Sequence, residues 1–199
     1  MPGLSTHINF ARLVLERTAA SFDRVHYILG CVAPDCINLS DGQVFAQSHF
    51  ISFNRVPDLD TFLNTANITI NIVASPKASF LHGYFSHLWL DRYIQQQGHA
   101  LQIVNNLEMS ETEKSVAFKN NIKRYDLGFI KGLMSMDTIE FDSDISLYHF
   151  LSGELILTRL SEILNFVDIS NDNSPTVISE DRYINYLIDA VDIFLAQFV

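Results

Sequence analysis

The sequence predicts an all-α protein, a multi-helix bundle folded as a single domain over residues 1–199. Three observations carry that expectation. Apolar residues recur at helical spacing through most of the chain, few segments alternate as strands do, and Gly (8) and Pro (5) are sparse. The 199 residues, 48% of them hydrophobic, are enough for one sizeable core. Charged (18%) and aromatic (12%) residues stand at globular values. There is no internal repeat and no low-complexity tract.

The first helix is expected from about Ser5 to Ser21, with Ser5 or Thr6 as N-cap and Phe10, Leu13, Val14 and Arg17 marking its turns. A short apolar helix, HYILGCVAP, follows. Pro34 closes it and turns the chain near Ala33, because the residue before a proline is biased away from the α region. Asp35 then falls on a loop beyond the helix end. Residues 38–57 read as a long, irregular, polar connection containing His49, and long loops in compact domains tend to be functional. A helix spans roughly Asp58 to Val73. Ser75 and Pro76 supply a cap and a first-turn proline for the next, PKASFLHGYFSHLWLDRYIQQQ, which Gly98 ends. Further helices are expected near 110–135, with Ser110 and Glu113 as a capping box, near 144–167 and near 180–198. The NDNSP stretch at 171–175 is a loop too short to link independent domains. Phe194, Leu195, Phe198 and Val199 are expected to pack into the core.

The formal charge is −10 and the pI is near 5.0. An acidic surface repels polyanions and argues against long nucleic acids as partners. It leaves room for a small phosphate-bearing substrate where a bound cation reverses the local field. Two cysteines, Cys31 and Cys36, are no disulfide framework and no zinc–thiolate site, so buried free thiols are expected. The N-terminal segment lacks a basic stretch followed by an apolar run, and no apolar run reaches the ~18 residues of a membrane span. The expected compartment is the cytoplasm. No stretch is both basic and amphipathic, so binding to a membrane surface gains no support. Nothing in the sequence specifies an oligomeric state.

The chemistry centres on His87 and Asp91. Four residues apart on one helix, they share a face and can point an imidazole and a carboxylate at one cation. Their helix is apolar nearly all round (Phe80, Leu81, Tyr84, Phe85, Leu88, Trp89), as a central, buried helix would be. A buried carboxylate must be neutralised, paired or metal-bound. Arg92 faces elsewhere on the helix, so Asp91 needs another partner. The alternative is a buried Asp–His hydrogen bond without metal. His7, Asp35 and His49 are further candidates. Taken singly, each has a plainer reading: a surface histidine, a turn aspartate after proline, a loop histidine. His82, five residues before His87, lies about 140° round the helix and reads as structural. Asp126 could be a distal carboxylate ligand or could pair with Lys123 and Arg124.

Taken together, the motifs THxxFA (Thr6, His7, Phe10, Ala11), YxLGxxAPD (Tyr27 to Asp35), SHF (Ser48, His49, Phe50) and GYxxHxxxD (Gly83, Tyr84, His87, Asp91) resemble the zinc-dependent phospholipase C family, over about the first half of the chain. The resemblance implies an all-α fold with clustered metals. Asp35, His49, His87 and Asp91 would hold one Zn2+, and Asp91 would bridge to a second that also takes His7. The family's secreted enzymes and related fungal single-strand nucleases carry a third metal. Position 97 here is Gln97 with His99 two residues too late, and Gly153 stands four residues after His149, with Glu154 one further on. The third site is therefore expected to be absent or rebuilt.

The leading expectation is a metal-dependent hydrolase of phosphate esters, acting on a small or phospholipid-like substrate. A metal lowers the pKa of bound water to near ~7, and Asp35 could serve as the general base. Two alternatives stay open: a non-catalytic, metal-stabilised helical binding protein, and a phosphatase or nucleotide hydrolase using the same residues.

Overall fold

A computed structural model describes residues 3–36, 42–51, 56–66, 75–97, 110–130, 156, 158 and 176–199. They are helical. Seven α-helices run in the order α1 (Leu4–Arg17), α2 (Arg24–Val32), α3 (Gly42–Ser48), α4 (Leu59–Ala66), α5 (Pro76–Gln97), α6 (Glu111–Ile130) and α7 (Glu180–Phe198), with a 3-10 turn (Ala33–Cys36) after α2. Among the described residues the only β pairing is the isolated bridge between Ile51 and Pro57. No described helix is long and apolar enough to cross a membrane.

Local signals account for most helix starts. Ser75 Oγ accepts from Ala78 N (3.1 Å) ahead of Pro76. Ser110 and Glu113 form the expected reciprocal box: Ser110 N donates to Glu113 Oε2 (2.8 Å) and Glu113 N to Ser110 Oγ (3.3 Å). Asp23, Asp58 and Ser179 cap α2, α4 and α7 in the same way.

Four expectations need correction. The N-cap of α1 is Gly3, without a side-chain bond. Thr6 is instead buried inside the helix, where its Oγ1 meets the Tyr183 hydroxyl (3.3 Å). α1 ends at Arg17, because Thr18 turns to extended backbone and its hydroxyl accepts from Ala20 N, a local alternative to the helix. Ala33 stays in the right-handed helical region despite Pro34, so the chain tightens into a 3-10 turn and Asp35 sits on that turn, not on a loop. The stretch 38–57 contains α3, and His49 directly follows it. Residues 67–73 of the expected 58–73 helix, and most of the 144–167 helix, lie outside the described residues.

α5 is the centre of the bundle: every residue from Ser79 to Asp91 is buried. Its closest neighbour is α2. Asp23 N donates to Ser79 Oγ (2.8 Å), and His87 Nδ1 to the Cys31 carbonyl (2.7 Å), each across 56 positions. A constant offset with both numbers rising means that the helices run side by side in the same direction. Glycine makes the approach possible. A Cβ on Gly83 would lie 1.9 Å from the Tyr27 carbonyl oxygen, and one on Gly30 1.9 Å from that of Phe80. Continued one turn beyond Cys31 and His87, the same offset carries Asp35 to Asp91. α1 and α7 close the core through Phe10, Trp89 and Phe194, whose rings pack at 5.2–5.8 Å. Phe194 and Phe198 thus pack inward as expected, whereas Val199 is exposed. A smaller cluster of Tyr125, Ile178, Tyr183, Tyr186 and Leu187 joins α6 to α7.

Candidate metal centre

Four elements deliver the five side chains singled out in the sequence. His7 comes from the first turns of α1, Asp35 from the 3-10 turn, His49 from the end of α3, and His87 and Asp91 from the middle of α5. His7, His49 and His87 are wholly buried and Asp91 is 2% exposed. The Asp35 side chain, at 15%, is the most open of the five.

The structure brings all five together. His49 Nε2 lies 3.3 Å from His87 Nε2 and 3.3 Å from Asp35 Oδ1. Asp91 Oδ2 lies 3.6 Å from His87 Nε2 and 3.8 Å from His49 Nε2, while its Oδ1 lies 3.3 Å from His7 Nε2. The His7 ring stacks flat on His87, with centroids 3.6 Å apart. Two overlapping sets, His7–His87–Asp91 and Asp35–His49–His87, could each hold a metal ion.

The tautomers decide what these contacts mean. His87 Nδ1 faces the Cys31 carbonyl at 2.7 Å. A carbonyl only accepts, so Nδ1 carries the proton and Nε2 of the neutral ring is bare. His49 Nδ1 faces the Phe45 carbonyl at 3.1 Å and Ser48 Oγ at 2.9 Å, while its Nε2 faces Asp35 Oδ1 at 3.3 Å, so either nitrogen has a partner for the ring's one proton. The His87 lone pair and His49 Nε2 face each other across 3.3 Å. Both oxygens of Asp91 and both nitrogens of His7 are buried without a hydrogen-bond donor or acceptor. Burial pushes the Asp91 carboxyl up, but the His7 and His87 imidazoles outweigh it and hold it below the usual carboxylate range. Asp35 is likewise raised by burial and lowered further by His87 and His49.

A buried cluster with more lone pairs than protons to fill them is satisfied by a cation. The spacing suits one: tetrahedral zinc with bonds of about 2.0–2.1 Å has ligand–ligand edges of about 3.3–3.4 Å. Imidazole nitrogen with carboxylate oxygen is also a donor set for other first-row divalent ions. The residues present therefore fit a divalent metal.

Residues that play no part as ligands hold the site in shape, and sequence reasoning assigns them no role. The Cys31 carbonyl belongs to the last turn of α2, where carbonyls lack helical partners, and Pro34 has no N–H to offer. Ser48 Oγ lies 2.9 Å from His49 Nδ1 and donates to the Phe45 carbonyl (2.9 Å). Tyr84 donates its hydroxyl to the Ser48 carbonyl. Ser48 and Tyr84 stand inside the SHF and GYxxHxxxD motifs, the only signal that marks them. α3 ends with Phe50 at φ 50°, with Ile51 N bonded to the Ala46 carbonyl (2.9 Å) and Phe50 N to that of Gln47 (3.2 Å). This is a glycine-type helix stop made by a phenylalanine.

His82 does not join the cluster. It packs against Phe22 (5.2 Å), and burial lowers its pKa. His26 pairs with Asp23 (2.9 Å). Both cysteines are buried and neither is in a disulfide. His99, His149 and the Asp126 side chain lie outside the described residues.

Geometry thus defines an all-α protein with a buried His/Asp cluster able to hold metal. Comparison of the chain with family models, curated proteins and solved structures finds no match.

Proposed function

We propose that the chain is a zinc-dependent hydrolase of phosphate esters, similar in its bundle and site to the phospholipase C family. The observation that carries this reading is the convergence of His49 Nε2 and His87 Nε2, 3.3 Å apart and flanked by Asp91. His49, His87, Asp91 and Asp35 would hold one Zn2+, and His7 with Asp91 a second. Bound there, zinc supplies Lewis acidity toward a phosphoryl oxygen and lowers the pKa of a water molecule. Asp35, the most open of the five, would serve as the general base for that water. Buried His7, His87 and Asp91 keep solvent from the inner side of the site. The −10 charge favours a small or phospholipid-like ester over a long polyanion. Buried free thiols suit a reducing compartment such as the cytoplasm.

The test is purified protein with added zinc on bis-p-nitrophenyl phosphate, short-chain phosphatidylcholine and mononucleotides. Turnover is expected to require zinc and to fall about 10²–10⁴-fold in Asp35→Asn, the usual range for a general base. A zinc-loaded protein that leaves every ester intact would falsify the enzymatic reading.

The burial of four of the five residues supports a second reading, in which the metal is structural and pins α3 to the bundle. Coordination separates the two, because catalytic zinc keeps an open or water-filled position and structural zinc does not. X-ray absorption on the zinc-loaded protein reads this directly.

A further inference from the structure

We propose that Tyr84 is a positioning residue for the metal centre, acting on His49 through the Ser48 carbonyl. The inference rests on the metal-binding part of the reading above and is independent of hydrolysis. His87 and Asp91 sit on the long, buried α5, which fixes their spacing. His49 has no such support. It follows a seven-residue helix, too short to be stable alone, and precedes Phe50, whose left-handed backbone is unfavourable for a bulky side chain. α3 needs a tie to the bundle, and Tyr84 supplies one from α5 itself, one turn ahead of His87.

The tie acts at the right atoms. The Ser48 carbonyl is among the last four of α3, which have no helical donor. The Tyr84 hydroxyl fills that place. Its ring is fully buried and stacked on Phe62 (5.1 Å, 10°), with Phe50 edge-on at 6.3 Å, so the phenol has little freedom to move. With the Ser48 backbone fixed, Ser48 Oγ reaches the Phe45 carbonyl and His49 Nδ1 together. That arrangement aims Nε2 at His87 and would hold the His49 proton on Nδ1, leaving Nε2 for a metal. One helix would thus carry two ligands and the clamp for a third.

Tyr84→Phe removes the hydroxyl and keeps the stacked ring. Tyr125→Phe is the matched control: it deletes another buried tyrosine-to-carbonyl bond, Tyr125 to Ile178 (2.7 Å), away from the site. Zinc affinity by competition with a chelator is expected to fall about 10–100-fold in Tyr84→Phe, as for other residues that orient metal ligands, and to stay within about twofold of wild type in Tyr125→Phe. Long-range proton–nitrogen spectra of the metal-free protein should show His49 as the Nδ1–H tautomer in wild type and as a mixture in Tyr84→Phe, with His87 unchanged. Ser48→Ala reads the same relay from its other end if Tyr84→Phe does not fold. Equal zinc affinity in both tyrosine variants, or an unaltered His49 tautomer, overturns the proposal. Wild type that binds no zinc, with the tautomer shift still present, sinks the metal reading instead and leaves Tyr84 as a positioning residue for His49 alone. Turnover is not read, so zinc binding without hydrolysis bears only on the enzymatic claim.

Discussion

At the α6–α7 end of the molecule, Tyr125 donates to the Ile178 carbonyl, Asn121 Oδ1 accepts from Val177 N (2.7 Å), and Tyr183 meets Thr6 Oγ1. These three pairs are complementary, each donor with an acceptor, and the Tyr186 hydroxyl is the buried exception at this end. At the α2–α5 end the buried polar groups of His7, His49, His87, Asp35 and Asp91 are nearly all acceptors, and they face one another. Both ends are helical, buried and aromatic-rich, so hydrophobic packing does not distinguish them. Proton bookkeeping does. Where donors and acceptors balance, the polar groups fix structure; where acceptors outnumber donors, something positive is required.

The sharpest way to break the comparison is at the crossing that creates the acceptor cluster. Gly83→Ala places a Cβ 1.9 Å from the Tyr27 carbonyl oxygen, a clash with backbone that no rotamer relieves. It would move α2 away from α5, and with it the Cys31 carbonyl that orients His87. The expected loss is about 3 kcal/mol, larger than the gain of about 1 kcal/mol from helix propensity. Gly42→Ala is the contrast, since a Cβ there meets nothing within 4 Å, and its change should stay within about 0.5 kcal/mol. Urea unfolding reads both. A Gly83→Ala midpoint at the wild-type value would mean that the close crossing does not hold the site.

The site was legible in the sequence to an uneven degree. The five side chains stand in recognisable local motifs, so their order alone selected them. α3 was not legible, because seven residues with only Val44 and Phe45 as large apolar positions show no period. The place of Asp35 depends on Ala33 remaining helical before a proline, against the usual local preference. The offset of 56 between α2 and α5 is a tertiary fact: Gly30 and Gly83 can be read as close-approach residues, but not as each other's neighbours. The α1 cap was misplaced because Ser5 and Thr6 are good capping residues locally, and the burial of Thr6 against Tyr183 outweighed that preference.

A pair of substitutions tests the two ends by different readouts. Asp91→Asn keeps the volume and removes the charge that both candidate sites share. Zinc at about 100 times Kd should stabilise wild type by about 2.7 kcal/mol, roughly 5–10 °C for a chain of this size, and this rise should vanish in the variant. Asn121→Ala removes the acceptor for Val177 N and should cost about 1–3 kcal/mol, with the zinc-dependent rise intact. If the two variants behave alike in the presence of zinc, the distinction between acceptor cluster and balanced network fails.

The smallest effect at neutral pH is expected at Cys31, which lies under the cluster with its thiol donating to the His7 carbonyl (3.2 Å). Burial pushes this thiol from an ordinary value near 9.0 up to about 12, a hydrogen bond with Ser86 works against the rise, and the Asp35 and Asp91 charges add to it. A group whose folded pKa is raised contributes stability that is complete below its unfolded pKa and is lost as pH climbs through the folded one. Nothing is lost at pH 7, and the folded state should weaken progressively from about pH 9 toward 12, with the buried Tyr27 phenol, raised for the same reason, acting in the same direction. At pH 7–8 Cys31 stays a thiol, and burial shields both it and Cys36 from an aromatic disulfide reagent. Labelling should therefore follow global unfolding and accelerate with urea. Fast labelling of Cys31 in the native state would show that the floor of the cluster opens to solvent, and a floor that opens could supply its acceptors with water in place of a cation.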